Sequence, residues 1–169
     1  MMHNFSANNE DLDLMSPRLI KHTHYLTNIK LICRLASAVQ QHRGSTMASM
    51  SGSVSFFERT KELGTIIDKS FFALKLNNLQ HDETLHRSQL SHAIMDWHSI
   101  QQGWQQDTIL DNYEFHSHLI SALNKMSKQF LDEILDGCQL ELKIKHERFF
   151  HTILVELLGF IEQIAKLRG

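Results

Sequence analysis

Only seven glycines and one proline punctuate a chain of 169 residues, and this scarcity of chain breakers constrains the fold more than any other feature. A strand-rich sandwich or barrel needs many tight turns, and tight turns draw on glycine and proline. Long helices need few. With 42% hydrophobic and 21% charged residues, the chain carries enough apolar surface for one buried core. The expected fold is therefore all-α, an up-and-down antiparallel bundle of about five long helices. Residues 1–15 read as a flexible tail and residues 16–169 as a single helical domain.

Helix boundaries follow from caps and periodicity. Ser16-Pro17 suits an N-cap and first helical position. From there Leu26, Ile29, Cys33, Ala36, Gln40, Arg43, Met47 and Met50 recur at steps of three and four, which carries a first helix through Gly44 to about Met50. A Ser51-Gly52-Ser53 turn follows. Ser55-Phe56-Phe57-Glu58 is a capping-box pattern opening a second helix to about Leu76, with a stripe of Phe56, Leu63, Ile67, Ser70 and Leu74. Arg59 and Ile66 fall on the flank of that stripe. Asn77-Asn78 reads as a turn. A third helix carries His86, Leu90, Ala93, Trp97, Ile100 and Trp104. A fourth starts near Asp111-Asn112, buries His116, Leu119, Ile120, Leu123, Met126, Phe130 and Ile134, and ends at Asp136-Gly137. Phe150, Ile153, Leu157, Phe160, Ile161 and Ile164 form the strongest stripe, on a fifth helix.

A formal charge of −2 and a pI near 6.6 give no general attraction to nucleic acid or to anionic lipid. The polar segment from Met1 to Asp13 has no apolar run, so it reads as neither signal peptide nor membrane anchor. Thr152 to Ile161, the most apolar stretch, is far too short to span a bilayer. The expected location is cytoplasmic. Cys33 and Cys138 are expected as small buried apolar groups, without a disulfide.

Arg43 is the residue that departs from this bland picture. At about 100° per residue it falls near the centre of the arc carrying Ile29, Ile32 and Ala36, away from Lys30, Arg34 and Gln41. Arg168 falls about 20° from Leu157 on the last stripe. A guanidinium keeps its charge, so burying it costs several kcal/mol unless a carboxylate or a bound anion compensates. Two outcomes are open. Each arginine snorkels to the bundle end or pairs with Asp or Glu, or arginines from neighbouring helices clamp a small planar oxyanion such as nitrate or nitrite.

The stretch Gln40-Gln41-His42-Arg43-Gly44 resembles the Gln-x-Glu-Arg-Gly signature on the first helix of NIT (nitrate- and nitrite-sensing) domains. Gly159-x-x-Glu162-x-x-x-x-Leu167-Arg168-Gly169 is similar to the Leu-Arg-Gly segment of a later helix in that family. Between them, Trp97, Trp104 and Asn112 to Ile120 are similar to the middle of such domains. The resemblance implies a non-enzymatic helical sensor that binds nitrate or nitrite through arginines and signals to an effector such as an RNA-binding antiterminator, a kinase or a chemoreceptor. Arg43 matches the family arginine directly; Arg168 and Arg59 match more loosely, and Gln40 and His116 complete the anion-binding set. His42 stands where the family has glutamate, and Ser45 where it has an apolar residue. Expected partners are the small anion, a second copy of the chain and a separate signalling protein; no cofactor is expected.

Twelve histidines raise a third possibility, a metal-binding bundle. Asp82/His86, His92/Asp96, Glu114/His118 and Glu147/His151 are carboxylate–histidine pairs at i,i+4, a spacing that usually forms surface pairs. A ferritin-like dimetal site needs two Glu-x-x-His motifs, and Glu83-x-x-His86 is the single match. His116 faces its helix stripe and is expected as a satisfied core histidine. The remaining alternative is a ligand-free helical adaptor or dimerisation module.

Overall fold

A computed structural model describes residues 17–80 and 87–139, with side-chain surroundings for residues 20–79 and 87–136. These residues form four α-helices and, among them, no strand: α1 (Pro17–Met50), α2 (Ser55–Gln80), α3 (Arg87–Gly103) and α4 (Ile109–Gln139). The tail before Pro17, His86 and the fifth helix, with Arg168, lie outside the described residues.

Cross-helix contacts fix the topology. Ser45 near the end of α1 bonds Thr60 at the start of α2, and Asn28 near the start of α1 bonds Asn78 at the end of α2. Asp68 of α2 meets Trp97 of α3. Thr46 of α1 bonds Asn112 at the start of α4, and Tyr25 packs on Phe130 further along it. Neighbours therefore run antiparallel around a closed ring, up and down, as short connections require. α1 touches α2 and α4 extensively, whereas α2 and α3 meet over a short stretch.

The core is drawn from α1 (Ile32, Leu35, Val39), α2 (Leu63, Ile67, Leu74), α3 (Leu90, Trp97, Ile100) and α4 (Leu119, Leu123, Phe130). The buried arc of α1 differs from the expected stripe. Leu26 is 48% exposed and Cys33 is also exposed, while Asn28, His42 and Thr46 are buried. Packing against two neighbours centres the arc on Asn28, Ile32, Leu35, Val39, His42 and Thr46, roughly 100° from the expected stripe. On α2, Phe56 is exposed and Phe71 takes its place in the core.

Other boundaries shift for identifiable reasons. α1 does run through Gly44 to Met50, and the turn that follows places Gly52 at φ +96°, where glycine carries no Cβ penalty. α2 begins at Ser55, but the Glu58 carboxylate accepts from Lys61 instead of turning back to cap. Asn77 and Asn78 are not a turn. They lie inside α2, with side chains turned to another helix: Asn77 Nδ2 donates to Asn28 Oδ1 at 2.7 Å, and Asn28 Nδ2 donates to Asn78 Oδ1 at 2.9 Å. α4 continues through Gly137 to Gln139, so Gly137 is not its stop.

α4 starts at Ile109, earlier than expected, because Thr108 caps it. The Asp111 amide donates to Thr108 Oγ1, and the Thr108 hydroxyl donates to Asp111 Oδ2 at 2.7 Å. Thr108→Ala is expected to cost about 1 kcal/mol in a denaturant titration, the usual cost of an N-cap.

Candidate functional site

The seam between α1 and α4 gathers a cluster of buried polar residues. His42 and Arg43 come from α1, and Asn112, Tyr113, His116 and Ser117 from one turn and a half of α4. The spacing 42, 43, 46 on α1 opposite 112, 113, 116, 117 on α4 is the register of antiparallel helices whose i,i+3/i+4 rows interlock.

Arg43 is 1% exposed. Its Nη1 donates to Ser117 Oγ at 2.9 Å, and its guanidinium lies 4.8 Å from the centroid of the Tyr113 ring. Ser117 in turn donates to the Tyr113 carbonyl at 2.8 Å, which fixes its lone pairs toward the arginine. The one hydroxyl proton of Thr46 is shared between the Arg43 carbonyl at 2.9 Å and Asn112 Oδ1 at 2.7 Å. Asn112 is fully buried, and its Nδ2 has no acceptor among the described residues. A buried amide donor without a partner costs about 1–3 kcal/mol, so this corner of the seam is chemically fitted to an acceptor. A Cβ on Gly44 would meet nothing within 4 Å, so packing alone does not demand glycine beside Arg43.

Next to the arginine, two imidazoles form a directed chain. His116 Nδ1 lies 2.7 Å from the Asn112 carbonyl, which can only accept, so this nitrogen carries the proton. Its Nε2 therefore presents a lone pair, and His42 Nδ1 donates to it at 2.8 Å. Both rings are neutral in this arrangement. Burial pushes His42 down from 6.5 to about 3, with His116 as the second cause. Burial likewise pushes His116 down to about 4, opposed by the Asn112 carbonyl and assisted by the Arg43 charge. His42 also packs edge-on against Trp97 at 4.9 Å, and Trp97 Nε1 donates to Asp68 Oδ1 at 2.7 Å. A polar line thus crosses the bundle from α2 through α3 and α1 to α4.

The expected anion-binding residues fare unequally. Arg43 and His116 are brought together, on facing helices. Gln40 is half-buried, one turn before Arg43. Arg59 does not join them: it is exposed, pairs with Glu62 at 3.2 Å and reaches Gln41 at 3.5 Å. Its place on the flank of α2 faces solvent because Thr60 and Leu63 take the buried positions. Arg168 lies outside the described residues. Sequence reasoning missed His42, Asn112 and Ser117 as members of the site. The signal was present, since Ile32, Leu35, Val39, His42 and Thr46 step by three and four, but it is carried by polar side chains.

Among the described residues, no group of three or more His, Cys, Asp or Glu side chains is placed to share a metal ion. His118, paired with Asp96 at 3.7 Å across α3 and α4, is a surface contact. No described helix is long and apolar enough to cross a membrane. Compared with protein-family models, curated proteins and solved structures, the chain finds no match.

Proposed function

We propose that this chain is a non-enzymatic, NIT-like sensory domain that takes a small oxyanion, nitrate or nitrite, beside Arg43 and signals by changing the packing of α1 on α4. The observation that carries it is a guanidinium 1% exposed in a helix seam that also holds a fully buried Asn112 amide with no acceptor among the described residues. A planar anion matches a forked donor and accepts from an amide at once. The Ser117 hydroxyl and the Tyr113 ring orient the fork. The α1–α4 contact is extensive, so a ligand that favours one packing of this seam shifts the equilibrium between packings by its differential affinity. A separate cytoplasmic signalling protein reads that shift.

A hundredfold excess of ligand over its dissociation constant contributes about 2.7 kcal/mol, or roughly 5–10 °C in melting temperature for a domain of this size. Nitrate or nitrite is expected to give that rise, chloride at equal ionic strength is not, and Arg43→Lys is expected to abolish most of it by removing the fork. Circular dichroism on the variant separates loss of binding from loss of fold. No rise with either oxyanion on the folded wild type would overturn the proposal.

A further inference from the structure

The His42–His116 pair has one proton acceptor to spare, and the bonds around the two rings fix where it is. His116 gives its Nδ1 proton to the Asn112 carbonyl, and its Nε2 accepts from His42 Nδ1. A neutral imidazole carries a single N–H, so both protons are spent. The lone pair left over is that of His42 Nε2, which has no hydrogen-bond partner among the described residues. A proton added to the pair therefore goes to that nitrogen. The chain from His42 through His116 to Asn112 keeps both of its bonds when it arrives.

Burial and charge oppose that arrival. His42 is 1% exposed and His116 is fully buried. Burial, and then the Arg43 charge, hold His116 down at about 4 against the pull of the Asn112 carbonyl. The other ionisable groups around the pair, among the described residues, give little compensation. From α4, the Tyr113 ring lies against the Arg43 guanidinium. From α3, Trp97 packs edge-on against His42, and Asp68 of α2 is held on the far side of the indole by its Nε1 proton. Asp96 and His118 pair at the surface of the α3–α4 seam.

We infer that, on the oxyanion reading proposed above, the His42–His116 pair is a proton site coupled to the anion site, gaining an N–H bond at His42 Nε2 from a solvent proton as the anion enters. Anion and proton then bind together, one negative and one positive charge, and the net charge of the seam is unchanged. An anion beside Arg43 is also near His116, because that arginine acts on the ring electrostatically. Such coupling is reciprocal: the factor by which the anion strengthens proton binding is the factor by which acid strengthens anion binding. Without the anion the pair titrates at about 3 and about 4, so between pH 7.5 and 5 it stays neutral. With the anion its proton affinity is raised, and affinity for the anion climbs as the pH falls through that window.

Calorimetric titration of sodium nitrate into the full-length protein at pH 7.5 and 5, each in two buffers of different ionisation enthalpy, reads affinity and proton uptake together. Affinity is expected to be at least about fivefold higher at pH 5, within the usual range of coupling between sites. Uptake is expected to approach one proton per nitrate at pH 5 and to fall away at pH 7.5. Sodium chloride at equal ionic strength gives the baseline from surface histidines, and circular dichroism checks the fold at pH 5. In His42→Leu/His116→Leu the uptake is expected to vanish; the wild-type titrations decide the matter even where that variant does not fold. Saturable nitrate binding of equal affinity at both pH values, without proton uptake, would overturn the coupling and leave the oxyanion site standing, as would a folded double variant with undiminished uptake. Absence of saturable binding at either pH would overturn the oxyanion reading and the coupling with it.

Discussion

Lowering the pH from 6.5 to 5 is expected to cost the folded protein roughly 2 kcal/mol for each histidine of the His42–His116 pair. In the folded chain these groups are held well below 6.5, at about 3 and about 4, whereas in the unfolded chain they titrate near 6.5. Between pH 6.5 and 4 the unfolded state therefore binds more protons than the folded state, and stability rises with pH across that window. It falls as acid is added and levels off only once the folded imidazoles are themselves protonated. A charge arriving on either ring is unfavourable because of the arrangement itself: His116 lies beside Arg43, and each imidazole already spends its proton on a neighbour. The other histidines contribute to any raw pH profile, so the measured quantity is a difference. Urea titrations of the wild type and of His42→Leu/His116→Leu between pH 4.5 and 7.5 are expected to diverge as the pH falls, the wild type losing more. Replacing both partners at once leaves neither ring's polar atoms orphaned. Parallel profiles would show that the pair does not stay neutral when folded.

Trp97→Ala is expected to cost about 3–5 kcal/mol, among the largest effects of any single substitution in the bundle. The indole is fully buried. It is also where α3 is tied to the rest: Asp68 on α2 accepts its Nε1 proton, and His42 on α1 packs edge-on against it. Trp97→Phe keeps most of the apolar area and loses the hydrogen bond, so about 1 kcal/mol beyond the small volume loss is expected. Asp68 reaches solvent and holds Gln101 as well, which limits the cost of removing its donor. Chemical denaturation of the two variants separates packing from hydrogen bonding. A Trp97→Phe variant as unstable as Trp97→Ala would place the indole's contribution in the bond to Asp68.

The bundle was legible in the sequence wherever apolar periodicity and cap chemistry agreed. α1 runs to Met50 as its periodicity indicated, and Leu90, Ala93, Trp97 and Ile100 give the buried face of α3 correctly. It was illegible where polar side chains satisfy one another across helices. Asn77-Asn78 resembles a turn because asparagine commonly hydrogen-bonds its own backbone; here Asn77 Nδ2 and Asn78 Oδ1 bond Asn28 of another helix. Leu26 and Cys33 pulled the inferred stripe of α1 toward solvent, while Asn28, His42 and Thr46, which hold the centre of the buried arc, counted against burial when taken one at a time.

The site shows the same division. Arg43 was drawn inward by the register of α1, and it is buried near one edge of the true arc. His116 was legible as the one inward histidine of its helix, but its partner was not. His42 was read as a lost carboxylate beside the arginine; in the folded chain it is a neutral donor to His116. Only three-dimensional register can pair residues that stand 74 positions apart. Arg59 was misjudged because the flank of a stripe becomes exposed when the stripe packs on one neighbour only, and α2 has its extensive contact with α1 alone.

The oxyanion proposal is tested most directly at the arginine itself. In a titration of nitrate into nitrogen-15-labelled full-length protein, the side-chain Nε–Hε resonance of Arg43, assigned by its loss in Arg43→Lys, is expected to shift saturably. The backbone amides of Asn112 and Ser117 are expected to follow with the same dissociation constant. An Arg43 resonance that stays fixed while nitrate reaches tens of millimolar, or that moves without saturating as it does with chloride, would contradict an oxyanion site in the α1–α4 seam.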